Sequence, residues 1–180
     1  MSDLPRVTTI LNDVGLGPDL SKIPPALLEA GRARGSAVHA AREALVYGYE
    51  NEELLNPVVA PYLDAYKKFV AESGYVTIRA EFEVVSRRWR YRGHPDDLGW
   101  LQSKRMIVDI KTGTDEGVAY QLVAYRVAWN EEHPDEPVEA LAAVQLRADG
   151  TYRFNEVSAV EAEPVWFAAV TVFYAKRRTA

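Results

Sequence analysis

The spacing of apolar positions changes character near residue 75. Before it, apolar residues recur three and four apart, as on one face of a helix; after it they recur at every second position, as on one face of a strand. Residues 7–14 predict a short helix, ended by the punctuating run Gly15-Leu16-Gly17-Pro18. Beyond Pro24-Pro25 a stretch rich in Ala, Leu, Glu and Arg runs to Val46 and predicts a second helix, interrupted around residues 31–35 and stopped by Gly48. Val59, Tyr62, Tyr66, Phe69 and Val70 form one apolar stripe of a third helix over 58–72, with Gly74 closing it.

From Tyr75 onward Ala80, Phe82 and Val84 alternate with Glu81, Glu83 and Val85, which predicts one strand carrying both glutamates on the same side. Residues 88–93 alternate as well: Trp89 and Tyr91 point one way and Arg88, Arg90 and Arg92 the other, with a hairpin around Ser86 and Arg87. Residues 97–101 continue the sheet, and the largely apolar segment 106–111 predicts a central strand. A helix over 118–130, a hairpin of 139–146 with 152–157 around Asp149-Gly150, and a closing helix over 160–176 complete the chain. With neither repeat nor linker, the expectation is one domain over 1–180: a helical part to residue 74, a sheet core over 75–157, and the C-terminal helix.

Composition narrows the chemistry. The 180 residues are 48% hydrophobic, enough for a core, and contain no Cys. A disulfide scaffold, a Cys-ligated zinc site, a thiol nucleophile and a thiolate-held iron–sulfur cluster are thereby excluded. No apolar run approaches the roughly 20 residues that span a bilayer, and the first 13 residues mix charge with polarity, so the expectation is a cytoplasmic protein with no membrane partner. Lys and Arg number 21 against 26 Asp and Glu, a net charge of -5, which argues against non-specific coating of nucleic acid.

Two segments carry candidate chemistry. In Ile107-Val108-Asp109-Ile110-Lys111-Thr112-Gly113, strand alternation puts Asp109 and Lys111 on one face of an apolar segment, where an unpaired carboxylate is costly. An ion pair with Lys111 or a hard divalent cation would each compensate it. Gly93-His94-Pro95-Asp96-Asp97 reads alone as turn chemistry, yet adjacent strands bring Asp96 to Asp109. Upstream, Arg32, Gly35, His39 and Arg42 fall at helical spacings, giving a stripe of two cations, a smooth gap and an imidazole that suits a phosphate path; the plain alternative is a structural histidine on an Ala-rich helix.

Five segments in order resemble the PD-(D/E)xK nuclease superfamily, in its RecB-like branch with the phage exonucleases: Arg34-Gly35-Ser36-Ala37-Val38-His39, Glu81 in Glu-Phe-Glu-Val-Val-Ser, Gly93-His94-Pro95-Asp96, Asp109-Ile110-Lys111-Thr112-Gly113, and Gln121-Leu122-Val123-Ala124-Tyr125. The resemblance implies an α/β fold with a restriction-endonuclease-like core, a mixed central sheet flanked by helices, and an N-terminal helical segment. It implies a DNA nuclease, most simply an exonuclease of phage-type recombination or repair, using one or two Mg²⁺ or Mn²⁺ ions. Asp96, Asp109, His39 and the carbonyl of Ile110 become metal ligands, Lys111 the catalytic lysine, and Glu81, rather than Glu83, the site glutamate. Gln121 and Tyr125 support the site. The lack of Cys separates the chain from iron–sulfur-bearing relatives.

The remaining assignments concern partners. Arg32, Arg34, Arg42, Arg88, Arg90 and Arg92 are expected to hold DNA, the last three with Arg87, Lys104 and Arg105 bracketing the site. Trp89, Tyr91 and Trp100 are candidates for base stacking or for packing, and Lys176-Arg177-Arg178 for a DNA tail or a macrodipole complement. A ring-forming homo-oligomer would hold a weakly attracting chain on DNA by topology, and a recombination-protein partner is a further expectation. The rival reading is a non-catalytic module that uses the same fold to bind DNA or a protein.

Overall fold

A computed structural model describes residues 4–114 and 116–178. Its first helix, α1 (Val7–Asp13), buries Val7, Ile10 and Leu11. The second, α2 (Pro25–Tyr47), is continuous over 23 residues, against the expected break. Gly31 and Gly35 each cost a helix about 1 kcal/mol relative to Ala, and the Ala-, Arg- and Leu-rich residues around them offset that. The end of α2 is as expected, with Gly48 left-handed at φ 73° and its N–H bonded to the Ala44 carbonyl. A short 3₁₀ turn, Glu52–Leu55, leads to α3 (Ala60–Ser73).

Among the described residues seven strands follow, in two sheets. In the larger sheet β1 (Val76–Ala80), β4 (Asp97–Leu101), β5 (Lys104–Lys111), β6 (Ala140–Leu146) and β7 (Tyr152–Glu156) lie in the order β1-β4-β5-β6-β7. Only β5 and β6 run parallel, joined by the crossover helix α4 (Val118–Glu132), so β5 is central in a mixed sheet as expected. The expected long strand beyond Tyr75 is broken. Glu81 adopts φ 49°, ending β1, and the chain restarts as β2 (Val84–Ser86), which pairs with β3 (Tyr91–Gly93) in a separate hairpin. The closing helix α5 spans Ala159–Arg178.

Each face of the larger sheet has its own apolar layer. On one, Ile107 and Leu98 pack with α1, α4, α5 and the β2–β3 hairpin, centred on Leu122, Trp129 and Trp166. On the other, Met106, Val108 and Ile110 pack with α2 and α3. Phe69 anchors that layer, with its ring centroid 5.4 Å from Tyr75, 5.6 Å from Tyr152 and 5.8 Å from Phe154. Contacts of this kind contribute about 0.5–1.5 kcal/mol each beyond area burial. Alternation along β5 therefore turns Asp109 toward α4 and Ile110 toward α2 and α3. No helix among the described residues is long and apolar enough to cross a membrane.

Candidate active site

The strand register sets up the acidic pair. Asp97 pairs with Val108 across the antiparallel β4–β5 ladder, so one further step places Asp96 opposite Asp109 on the α4 side, while Asp97 faces α2 and α3. Asp96 Oδ2 accepts the Ile110 N–H at 2.6 Å, tying the carboxylate to β5. Ile110 thus contributes its amide to the site, and its side chain lies in the opposite apolar layer.

Asp109 is 1% exposed and is held from two sides. Lys111 Nζ lies 2.7 Å from its Oδ2, and Gln121 Nε2 donates to its Oδ1 at 3.1 Å. The same Gln121 amide nitrogen donates to the Tyr125 hydroxyl at 2.7 Å, and Gln121 Oε1 accepts from Lys111 at 3.4 Å. The four-residue spacing on α4 thus serves to join Asp109, Lys111 and Tyr125. Burial raises the Asp109 pKa, Lys111 opposes that rise, and the Asp96 charge adds to it. Tyr125 approaches β3 because residue 93 is glycine: a Cβ there would sit 2.4 Å from Tyr125 Cε1.

The second half of the site is built by α2 and the turn at Glu81. His39 Nδ1 lies 2.9 Å from Glu81 Oε1 and 3.4 Å from Asp96 Oδ1. One donor atom from each of His39, Glu81 and Asp96 lies within 4.8 Å of the others, a geometry that can hold a metal ion. Asp109 stands outside that three-residue group, on the neighbouring strand. Burial disfavours the His39 imidazolium, but the Asp96 and Glu81 carboxylates outweigh it and push the pKa up to about 9. Burial disfavours the Glu81 carboxylate too, and the His39 hydrogen bond and charge, with Arg42, hold its pKa below the ordinary value.

Alternation alone put Glu81 and Glu83 on one side; the left-handed turn at Glu81 separates them. Glu81 turns to His39, with its N–H donating to the Asp96 carbonyl, while Glu83 is exposed beside Arg92. His94, which the sequence reading left without a role, places Nδ1 3.4 Å from Glu81 Oε2.

Several expected DNA contacts lie elsewhere. Arg42 is fully buried: its Nη1 lies 2.8 Å from Asp97 Oδ2, and its Nη2 donates to Glu81 Oε1 and to the Asp96 carbonyl. It faces the sheet carboxylates, so it is an internal clamp rather than part of a phosphate path. Asp97, which also accepts from the Tyr66 hydroxyl at 3.1 Å, is pushed by burial up to about 7 against the pull of Arg42. The signal for this network was the Asp96-Asp97 pair itself, since alternation sends one carboxylate to each face and the second then needs its own cation. Arg32 is exposed on α2, and Arg34 lies over the Tyr62 ring at 5.8 Å.

Of the basic residues expected to bracket the site, Arg92 shares a cavity with His94 and Tyr125, whereas Lys104 and Arg105 lie away from it. Lys104 and Arg105 begin β5, roughly 20–23 Å along the strand from Lys111 at 3.3 Å per residue. Arg105 stacks over Trp100 at 4.9 Å. Arg92 reaches the Leu4 carbonyl and Glu83, while Arg88 and Arg90 lie in the β2–β3 turn. Tyr91 is fully buried with its hydroxyl donating to the Ala124 carbonyl, which makes it packing rather than a stacking platform.

No protein-family model and no curated protein matches the chain. Among solved structures, the chain is similar to an alkaline exonuclease, LHK-Exo, from Laribacter hongkongensis. The TM-score is 0.50 at 11% identity, over 97% of this chain and 87% of that one. LHK-Exo in complex with dAMP gives a TM-score of 0.49 at 11% identity, over 98% of this chain and 88% of that one. At this identity the likeness is one of fold: a mixed sheet flanked by helices, with an N-terminal helix, as expected from the sequence.

Proposed function

We propose that the chain is a Mg²⁺- or Mn²⁺-dependent deoxyribonuclease that hydrolyses phosphodiester bonds, acting as an exonuclease in phage-type recombination or repair. The observation that carries this reading is the convergence of the His39, Glu81 and Asp96 donors beside the buried Asp109–Lys111 pair. The shared fold with an alkaline exonuclease supports it.

The donor set suits the cation. Two carboxylates are hard ligands of the kind Mg²⁺ and Mn²⁺ take, the imidazole is a softer one that suits Mn²⁺ better than Mg²⁺, and two acids this close call for positive charge, which His39 and Arg42 provide within the chain. His39, Glu81 and Asp96 would hold the ion, and Asp109 with the Ile110 carbonyl would complete the set that the resemblance implies. Bound there, such an ion supplies polarisation of the scissile phosphate and a bound water of lowered pKa.

The chain's own residues do the rest. Lys111 presents an ammonium beside Asp109, where it orients the attacking water and balances charge that develops on the phosphate. Gln121 fixes both partners of that pair and is itself fixed by Tyr125. His39 gives up its proton to become a ligand, which couples ion uptake to pH.

The test is degradation of end-labelled linear DNA with Mn²⁺ or Mg²⁺. Asp109→Ala and Lys111→Ala should each reduce the rate at least about 100-fold, in line with the loss of one preorganised charge at a reacting centre. Undiminished cleavage by both variants would refute the mechanism. A wild-type protein that binds DNA yet takes up no Mn²⁺ in calorimetry would instead favour the non-catalytic module.

A further inference from the structure

The arginines at the tip of the β2–β3 hairpin meet the end of α5 and form a cleft of about 460 Å³ with them. Arg88 and Arg90 line one wall, Arg177 and Arg178 the other, with Trp89 and Tyr174 at the base. Among the described residues no carboxylate lines it. The walls are held in place by packing: the Trp89 ring lies 4.6 Å from Phe167, and the Tyr174 hydroxyl donates to the Arg90 carbonyl. Arg90 sits at φ 59°, a conformation that costs a non-glycine residue energy unless its surroundings fix it.

The guanidinium groups are spread over these rings. Arg88 lies 5.7 Å from the Trp89 centroid, Arg90 5.5 Å from Tyr174 and Arg177 3.5 Å from Phe173. The side chain of Arg177 also reaches Asp13 at 3.4 Å, whereas Arg88, Arg90 and Arg178 have no acidic partner within salt-bridge distance among the described residues. Four of the chain's 21 Lys and Arg residues thus meet at one cleft of a chain whose net charge is -5. Arg90 stands about 10 Å along the hairpin from Gly93, at 3.3 Å per residue, and Gly93 adjoins the site through Tyr125.

We propose that this cleft is a second, metal-independent binding site for the sugar–phosphate backbone of a single nucleic-acid strand, which it grips outside the hydrolytic centre. Two guanidinium forks, those of Arg88 and Arg90, are pre-spread on aromatic faces without an acidic partner among the described residues, and with Arg178 beside them they suit a run of phosphates. The acidic remainder of the surface leaves the strand few competing places to lie. The proposal rests on the reading that the chain acts on DNA, and it adds a site that would govern affinity for long strands rather than the chemical step.

The experiment uses the wild-type chain and the Arg88→Glu/Arg178→Glu variant, whose side chains make no hydrogen bond or ion pair among the described residues. Arg88→Gln/Arg178→Gln serves as a milder version that keeps the fold testable. Binding of a fluorescein-labelled 12-nucleotide DNA strand is followed by anisotropy in EDTA from 25 to 200 mM salt. Neutralising two contacts should lower the salt slope by about 1.4, at 0.7 per phosphate contact on a single strand, and charge reversal should weaken binding at least tenfold at low salt. Wild-type affinity and slope in both folded variants would overturn the proposal, as would equal competition by a 12-residue poly-glutamate peptide.

A parallel assay follows Mn²⁺-dependent hydrolysis of a small phosphodiester, thymidine 5′-monophosphate p-nitrophenyl ester, which should proceed equally in wild type and variants. Hydrolysis with unaltered strand binding by the variants would remove the cleft and keep the nuclease. Strand binding that depends on Arg88 and Arg178, without hydrolysis by the wild type, would keep the cleft and remove the nuclease.

Discussion

The buried Arg42 is the part of the site whose loss the structure prices most directly. Arg42→Met replaces a fully buried guanidinium by an uncharged chain of similar length, leaving Asp97, itself fully buried, with only the Tyr66 hydroxyl and no cation. Removing one partner of a buried ion pair costs about 3–5 kcal/mol, here the penalty for a buried carboxyl that must either stay charged without a cation or take up a proton, since burial already pushes Asp97 up to about 7. At about 2–4 °C per kcal/mol for a chain of this size, melting should fall by roughly 6–20 °C. Urea denaturation at neutral pH should show a lower midpoint at unchanged slope, since the same surface is exposed on unfolding. The second variant isolates the cause. Arg42→Met/Asp97→Asn keeps the shape of the second side chain and removes its charge, so it should recover at least about 1 kcal/mol relative to Arg42→Met. The reasoning fails if Arg42→Met loses less than about 1 kcal/mol, or if the double variant is no more stable than the single one.

The other predictions follow from the same geometry. Gly93→Ala forces a Cβ to within 2.4 Å of the buried Tyr125 ring, and such overpacking should cost about 1–3 kcal/mol in urea denaturation; an unchanged midpoint would show that the ring can retreat. His39→Ala should weaken Mn²⁺ affinity about 10- to 100-fold in calorimetry without lowering helicity, whereas wild-type affinity would assign His39 to structure. The His39–Glu81 pair gives the pH dependence of cation-free stability two limbs, superimposed on a decline as pH rises from 3.8 toward about 7 that comes from the raised carboxyls of Asp97 and Asp109. Because the folded-state pKa of His39 is raised to about 9, its contribution is complete below the ordinary 6.5 and is lost as pH rises through 9. Because that of Glu81 is depressed, its contribution is present above the ordinary 4.5 and is lost on acidification. The pair's share of thermal stability across pH should therefore peak between these limits, and His39→Gln should flatten the alkaline limb; an identical limb in that variant would contradict the assignment.

Local pattern was sufficient for much of this molecule. Period and punctuation located the helices and most strands to within a few residues, because apolar spacing reports which face of an element is buried and Gly48, Gly74 and Gly150 mark real turns at positive φ. The same logic put Asp109 and Lys111 on one face, two apart on a strand, whereas Gln121 and Tyr125, four apart on a helix, were marked only by the resemblance to a family motif. Three things needed the folded chain. The left-handed residue at Glu81 changes a strand into two and separates Glu81 from Glu83, and alternation cannot foresee a residue that leaves the extended region. Arg42 reads on its helix as one more exposed cation, and becomes a buried clamp only because β4 delivers Asp97 to it from far along the chain. The basic residues read as one cluster in the sequence and are divided by the sheet, with Lys104 and Arg105 at the far end of β5 and Arg88 and Arg90 against α5. Side-chain period is a property of a single element, so it is legible in the sequence wherever the backbone stays regular, as along β5; which faces meet depends on the order in which strands pair and on turns such as that at Glu81, and these exist only in the folded chain.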